Sequence, residues 1–190
     1  VKKQLILASS SPRRKALLAF ITEDFIVLSS DVDEDIDEQD PVKLVMQLAE
    51  RKAQATVSEY KKEAVVIGSD TVVVLGNRVL GKPKDKMDAS RMLSMLSGQT
   101  HEVYTGFSII DSVTKKKETD CVCTKVSFNE MTIEEIDDYI ETGEPMDKAG
   151  AYGIQGYGSK FIAKIQGDYF CVMGLPVSTI YKVLKDFNCL

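Results

Sequence analysis

Residues 64–83, AVVIGSDTVVVLGNRVLGKP, decide how the chain is read. Residues 64–67 form a short β-branched run that predicts a buried strand broken at Gly68, followed by the compact polar group Ser69, Asp70 and Thr71. Residues 72–75 turn at Gly76 and Asn77 and return through Arg78, Val79 and Leu80 to Gly81, Lys82 and Pro83, the pattern of a hairpin. A helix would need more length and 3.6-residue spacing, so strands fit better. Strands of α/β proteins end beside the crevice where ligands bind, which puts Asp70 where chemistry is expected. The turn is expected to bring Lys82 back towards it. Physics alone leaves plainer alternatives open: Asp70 capping a turn, and Lys82-Pro83 as a surface turn.

Working outward to the N-terminal side, residues 4–8 predict a short apolar strand. Ser9, Ser10 and Ser11 before Pro12 predict a helix start, with residues 13–20 carrying the helix. Such a turn gathers backbone N–H groups and hydroxyls at a helix N-terminus, a ready anion site. Arg13 and Arg14 stand in the first turn, where positive charge opposes the helix dipole unless an anion compensates it. Two solvated arginines on an open face are the alternative. Residues 25–28 predict a second strand, and the acidic run 31–38, DVDEDIDE, reads first as a loop held open by repulsion. One or two of its members can still bind a metal. Pro41 opens a long helix to about residue 60, and periodicity leaves open how Lys43 and Lys52 project.

On the C-terminal side, Lys84 and Asp85 lead into a helix through residue 96, stopped near Gly98. Residues 101–110 and 117–128 predict strands joined by a turn, and Thr132 starts a helix to residue 141 with the pattern of a capping box. Residues 143–160, GEPMDKAGAYGIQGYGSK, concentrate Gly143, Gly150, Gly153, Gly156 and Gly158 around Asp147, Lys148, Tyr152 and Gln155. That density predicts turns and close backbone approach, with little rigidity unless something packs on it. Residues 161–165 and 169–172 are expected to pair as a hairpin around Gly167 and Asp168, and Gly174-Leu175-Pro176 to open a last helix. Strands and helices alternate first and strands cluster later, which predicts an α/β class with a mixed, twisted sheet, in one domain or one domain with a lobe.

The formal net charge of −5 argues against a nucleic-acid polymer as partner. No apolar run approaches the roughly 20 residues of a spanning helix, so no membrane partner is expected. The N-terminal stretch VKKQLILASSSPRR is a poor signal peptide. Cys121, Cys123, Cys171 and Cys189 are expected to be reduced packing residues in a cytoplasmic protein.

A phosphate site can be assembled from Ser9, Arg13 and Arg14, with Lys52 and Lys82 adding point charges suited to a polyphosphate. Asp70, Glu34 and Asp33 are candidates to hold Mg²⁺, and a carboxylate beside the attacking water can orient it or take its proton. Other chemistries fail on pattern. Residues 76–82 lack the termination of a P-loop, and the glycines at 150–158 open no strand–turn–helix, so neither nucleotide fingerprint is present. His101, the only histidine, has no evident acidic partner for a Ser-His hydrolase.

ASSSPRRKALL at 8–18, Asp33-Glu34, IGSDTVV at 67–73, LGKP at 80–83, LSGQTHEVYTG at 96–106, EPMDKAGAYGIQG at 144–156 and GDYFCVMGLP at 167–176 together resemble the Maf family. The resemblance covers almost the whole chain, residues 1–190, as a single Maf-like domain. It implies a house-cleaning nucleoside triphosphate pyrophosphatase that cleaves between the α- and β-phosphates. It implies an inosine-triphosphatase-like fold: an elongated mixed sheet with flanking helices, and two lobes around an active cleft. It further implies dependence on a divalent cation, Mg²⁺ or Mn²⁺, and a homodimer. Residue by residue, Ser9, Arg13 and Arg14 match the phosphate-handling element and Glu34 the metal-binding acid. Lys52 and Lys82 match catalytic lysines, and Asp70 the aspartate that serves as base or metal ligand. The extra acids Asp35 and Asp37, and SSS in place of the commoner serine pattern, depart from the family; which carboxylate reaches metal stays open. Arg13, Thr71 and Gln155 are similar to the branch acting on dTTP and UTP. A purine (inosine or xanthosine) triphosphate pyrophosphatase and a nucleotide-binding regulator of cell division are the alternatives.

Overall fold

The central strand runs unbroken through Gly68. In the computed structural model, which describes residues 3–29 and 31–190, strand β3 spans Ala64–Leu75. The expected break is therefore corrected, and the reason is steric: a Cβ on Gly68 would lie 2.1 Å from the carbonyl oxygen of Ala49. Glycine is there to admit a helix, not to end a strand.

Before β3 come β1 (Gln4–Ala8), helix α1 (Pro12–Ala19), β2 (Ile26–Val27) and α2 (Pro41–Glu59). After it come β4 (Arg78–Leu80), α3 (Lys86–Leu96), β5 (Thr100–Asp111), β6 (Lys117–Phe128), α4 (Ile133–Glu141), β7 (Ile162–Gln166), α5 (Tyr169–Met173) and α6 (Val177–Asp186). The strands form a seven-stranded mixed sheet in the order β2-β1-β3-β5-β6-β7, with β4 paired to β3. β1 is parallel to β2 and β3, whereas β3–β4 and β6–β7 are antiparallel. The α/β class with a mixed sheet and flanking helices is thus borne out. Contacts divide the chain into two units, one holding the residues up to Asp70 with Thr105–Val122 and Gly174–Leu190, the other Thr71–Tyr104 with Cys123–Met173.

In the first unit, Ile6, Ala8, Ala53, Ala64, Val66 and Ile110 form a buried cluster on which Ile26, Val57 and Tyr60 pack. Helix α2 starts with Pro41 after an Asp40 cap that accepts from the Val42 N–H at 2.9 Å. Its approach to the sheet depends on two glycines. Gly68 faces Ala49 and Ala53, and a Cβ on Gly106 would lie 2.5 Å from the backbone carbonyl of Val45. The backbone of α2 therefore rests directly on β3 and β5, and Lys52, beside Ala53, is carried to the level of Asp70.

The second unit packs Val73, Leu80, Leu93, Leu96, Val126, Ile136, Tyr139 and Phe161 into one core. β3 and β4 form the expected hairpin, with Val73 opposite Leu80. The capping box of α4 is present, Thr132 and Glu135 each satisfying the other's backbone N–H. The expected hairpin around Gly167 is not. β7 pairs with β6, and its expected partner is helix α5. Asp168 decides this: its Oδ1 accepts from the N–H groups of Phe170 at 2.7 Å and Cys171 at 3.3 Å, a helix cap that overrides the β-favouring residues after it. Cys171 and Cys189 are buried, Cys121 is half-buried and Cys123 is exposed. Among the described residues no helix is long and apolar enough to cross a membrane.

Candidate active site

Lys52 joins two carboxylates. Its Nζ stands 2.6 Å from Asp70 Oδ1 and 2.8 Å from Glu34 Oε1. Asp70 is only 9% exposed, and its neighbours Ser69 and Val72 are buried, so this is a charge held inside a strand and compensated from the helix above it. Glu34 reaches in from the exposed acidic run. The Asp33 carboxylate instead accepts from the Asp35 N–H at 2.9 Å, and the Asp33 carbonyl accepts from Arg51 at 3.1 Å. Lys52 is half-buried while Lys43 is exposed, which settles how the two lysines project.

The serine-rich turn lies in the same unit. Ser11 caps α1, its hydroxyl accepting from the Arg14 N–H at 3.4 Å. Ser9, 6% exposed, accepts from the Ser11 N–H at 3.2 Å and from Arg14 Nη1 at 3.5 Å. Arg14 Nε donates to the Gly174 carbonyl at 2.8 Å, fixing the guanidinium plane. Burial lowers the Arg14 pKa, attraction to Asp70 opposes that, the charge of Arg13 lowers it further, and Glu34 raises it. Arg14 therefore feels both carboxylates, and the first turn of α1 holds two arginines and no acid. Positive charge there opposes the helix dipole, which an anion at the helix N-terminus would offset.

Two supporting groups escaped the sequence reading. Ser69 Oγ donates towards the carbonyls of Gly106 at 2.9 Å and Gly174 at 3.1 Å, so one buried hydroxyl and one arginine converge on the Gly174 carbonyl. The only signal for it was the glycine of MGLP, read as a helix start. Thr71, Lys82 and Gln155 belong to the second unit. Thr71 is half-buried in β3, Lys82 is exposed after β4, and Gln155 is exposed in the glycine-rich segment.

The donor set fits a hard divalent cation. Asp70 and Glu34 each place a carboxylate oxygen against Lys52 Nζ, and among the described residues no group of three or more histidine, cysteine or acidic side chains gathers as a metal cage. A cation such as Mg²⁺ commonly takes one or two carboxylates and fills its other positions with water and substrate phosphate, which matches two carboxylates rather than four.

A family model described as Maf-like protein matches residues 4–187. A relative from Bacillus cereus, named dTTP/UTP pyrophosphatase, is 50% identical over 187 residues, covering 98% of this chain and 96% of its own length. Relatives of the same name from Alkaliphilus oremlandii and Clostridium novyi are 50% and 46% identical, over 97% of this chain in each case and 96% and 98% of their own lengths. A solved structure of the Staphylococcus aureus Ham1 protein covers 84% of this chain and 80% of its own, at 16% identity and a TM-score of 0.48, too loose a likeness to argue from.

Proposed function

The chain belongs to the Maf-like protein family, and on that premise we propose that it is a divalent-metal-dependent nucleoside triphosphate pyrophosphatase. It hydrolyses dTTP and UTP between the α- and β-phosphates, giving the nucleoside monophosphate and pyrophosphate. The substrate class rests on full-length relatives at about half identity that carry this activity in their names. The observation that carries the reaction is Lys52 bridging Asp70 and Glu34 in the electrostatic reach of the half-buried Arg14.

Asp70 is the base that takes a proton from the water attacking the α-phosphorus. Lys52, hydrogen-bonded to it, holds the carboxylate in orientation and supplies positive charge beside the reacting phosphate. A new phosphorus–oxygen bond forms to that water, the α–β bridging bond breaks, and its electron pair leaves with pyrophosphate. Arg13, Arg14 and Lys82 offset the charge of the leaving group, and Ser9 keeps Arg14 in position. A divalent cation held by Asp70 and Glu34 would neutralise phosphate charge and lower the pKa of a water bound to it. Thr71 and Gln155 select the base, since an amide can both donate to and accept from a pyrimidine edge. The reading includes a cytoplasmic homodimer, which light scattering in solution tests.

The deciding experiment measures pyrophosphate release from UTP, dTTP, CTP, GTP, ITP and XTP with Mg²⁺ or Mn²⁺, with products identified by mass. Monophosphate and pyrophosphate from UTP and dTTP, with little from the purines, is the expected result. Preference for ITP or XTP would overturn the substrate class, and no turnover by folded protein would overturn the enzyme.

A further inference from the structure

Two side chains that take no part in the steps above hold down the glycine-rich segment of the second unit. Glu144 accepts from the Tyr139 hydroxyl at 2.7 Å and the Gly158 N–H at 3.0 Å through Oε1, and from the Tyr157 N–H at 2.8 Å through Oε2. Tyr139, buried on α4 and edge-on to Phe161 with ring centroids 5.4 Å apart, accepts in turn from the Gly153 N–H at 3.0 Å. The backbone is thus pinned at Gly153 and again at Tyr157 and Gly158, and Gln155 stands exposed between the pins.

The glycines record how tight this is. A Cβ on Gly156 would lie 2.4 Å from Glu144 Oε2, and one on Gly158 2.5 Å from the Tyr139 hydroxyl. Burial pushes the Glu144 pKa up, yet the bonds from Tyr139, Tyr157 and Gly158 outweigh it and hold the carboxyl below its ordinary value. Hydrogen bonds to an ionised acceptor are the stronger kind, so this is a firm clamp on a segment that its own glycines would leave loose.

We propose that Glu144 and Tyr139 are positioning residues for base selection, holding the 153–158 turn so that Gln155 presents its amide in one orientation. The inference rests on the reading that Gln155 recognises the base. An amide discriminates only if its donor and acceptor ends are fixed, because rotation exchanges them. Order built into the free protein also spares the cost of ordering the loop when substrate binds.

The test compares kcat/KM for UTP and GTP, together with melting temperature, in the full chain and in Tyr139→Phe, Glu144→Ala, Glu144→Gln and Gln155→Ala. Gln155→Ala should collapse the UTP-to-GTP ratio. Tyr139→Phe and Glu144→Ala should lower it by about tenfold, chiefly through a raised KM for UTP. Glu144→Gln, which keeps one acceptor oxygen, should recover part of the loss. If Glu144→Ala does not fold, Tyr139→Phe decides, since it keeps the ring and removes only the hydroxyl. An intact ratio in Tyr139→Phe, or equal losses on both nucleotides, with Gln155→Ala still losing selectivity, overturns the positioning role alone. An intact ratio in Gln155→Ala overturns the base-reading role first, and the positioning role falls with it.

Discussion

Asp70 and His101 are both buried, and their surroundings give them opposite tasks. Asp70 has an ammonium 2.6 Å away and lies on a strand whose neighbouring residues cannot follow it into solvent. Asp70→Asn keeps the shape and removes the proposed base, so turnover should fall by about 10²- to 10⁴-fold, the usual contribution of general-base catalysis. The fold should survive, because Lys52 retains Glu34 as a partner. Turnover and thermal melting on the same preparation check both halves, and near-normal turnover would sink the assignment. His101 is a structural group: Nε2 lies 2.7 Å from the Tyr152 hydroxyl, Nδ1 has no hydrogen-bond partner, and Phe128 and Tyr152 meet the ring edge-on. Burial lowers its pKa from 6.5 to about 4. Below pH 6.5 the unfolded chain takes up a proton that the folded protein refuses, so stability should fall with pH until the folded ring also titrates near 4. The loss is on the order of 3 kcal/mol. Asp111 titrates elsewhere: burial raises its pKa, but Lys3 and the Val113 and Thr114 N–H groups hold it at about 2, so its contribution is lost only as pH falls through and below the ordinary 3.8. Denaturant unfolding of the wild type and His101→Gln at pH 7.5 and 5 should give a smaller pH difference in the variant. An equal difference would place the proton uptake elsewhere.

Helix α2 brings Lys52 to the strand, and the glycines beneath it set that distance. Gly68→Ala would place a methyl 2.1 Å from the Ala49 carbonyl oxygen, so α2 must lift. Overpacking of this kind costs about 1–3 kcal/mol. Turnover should fall further than the stability loss accounts for, because Lys52 moves off Asp70 as the helix lifts. Urea unfolding and kcat measured at a temperature where the variant is fully folded separate the two effects; an unchanged kcat there would show that the helix seat does not set the site. The same glycine explains one limit on reading the fold from sequence. Elements whose ends are chemically marked were legible: Ser11 and Pro12 for α1, Asp85 for α3, Thr132 with Glu135 for α4. Gly68 was misread as a breaker because its cause is the backbone of a residue 19 positions earlier. Residues 169–172 were misread as a strand because Tyr, Phe, Cys and Val favour one, and the Asp168 cap that overrides them is a local pair of hydrogen bonds.

At the scale of the whole molecule, the residue types of the site were legible and its selections were not. Ser9, Arg13, Arg14 and Asp70 were marked by conflict with their local surroundings, a charge against a dipole or at a strand's polar break. Glu34 and Lys52 were named only through the family resemblance, because spacing cannot tell which side chain reaches across from another element, and the Gly174 carbonyl has no sequence signature at all. The assembled charges lead to a prediction about metal removal. Lys52 spans both carboxylates, so the chain itself offsets the repulsion between Asp70 and Glu34. Chelation should therefore abolish pyrophosphate release while the chain stays folded, with a smaller drop in melting temperature than in a variant that lacks Lys52. Lys52→Met removes the internal counter-charge and leaves two acids facing each other. Its stability should consequently depend on added Mg²⁺, with a gain of about 2.7 kcal/mol at a hundred times the dissociation constant. Melting curves of the wild type and Lys52→Met, each with chelator and with Mg²⁺, compare the two directly. A metal-dependent shift in the wild type as large as in the variant, or none in the variant, would mean that Lys52 does not balance the site.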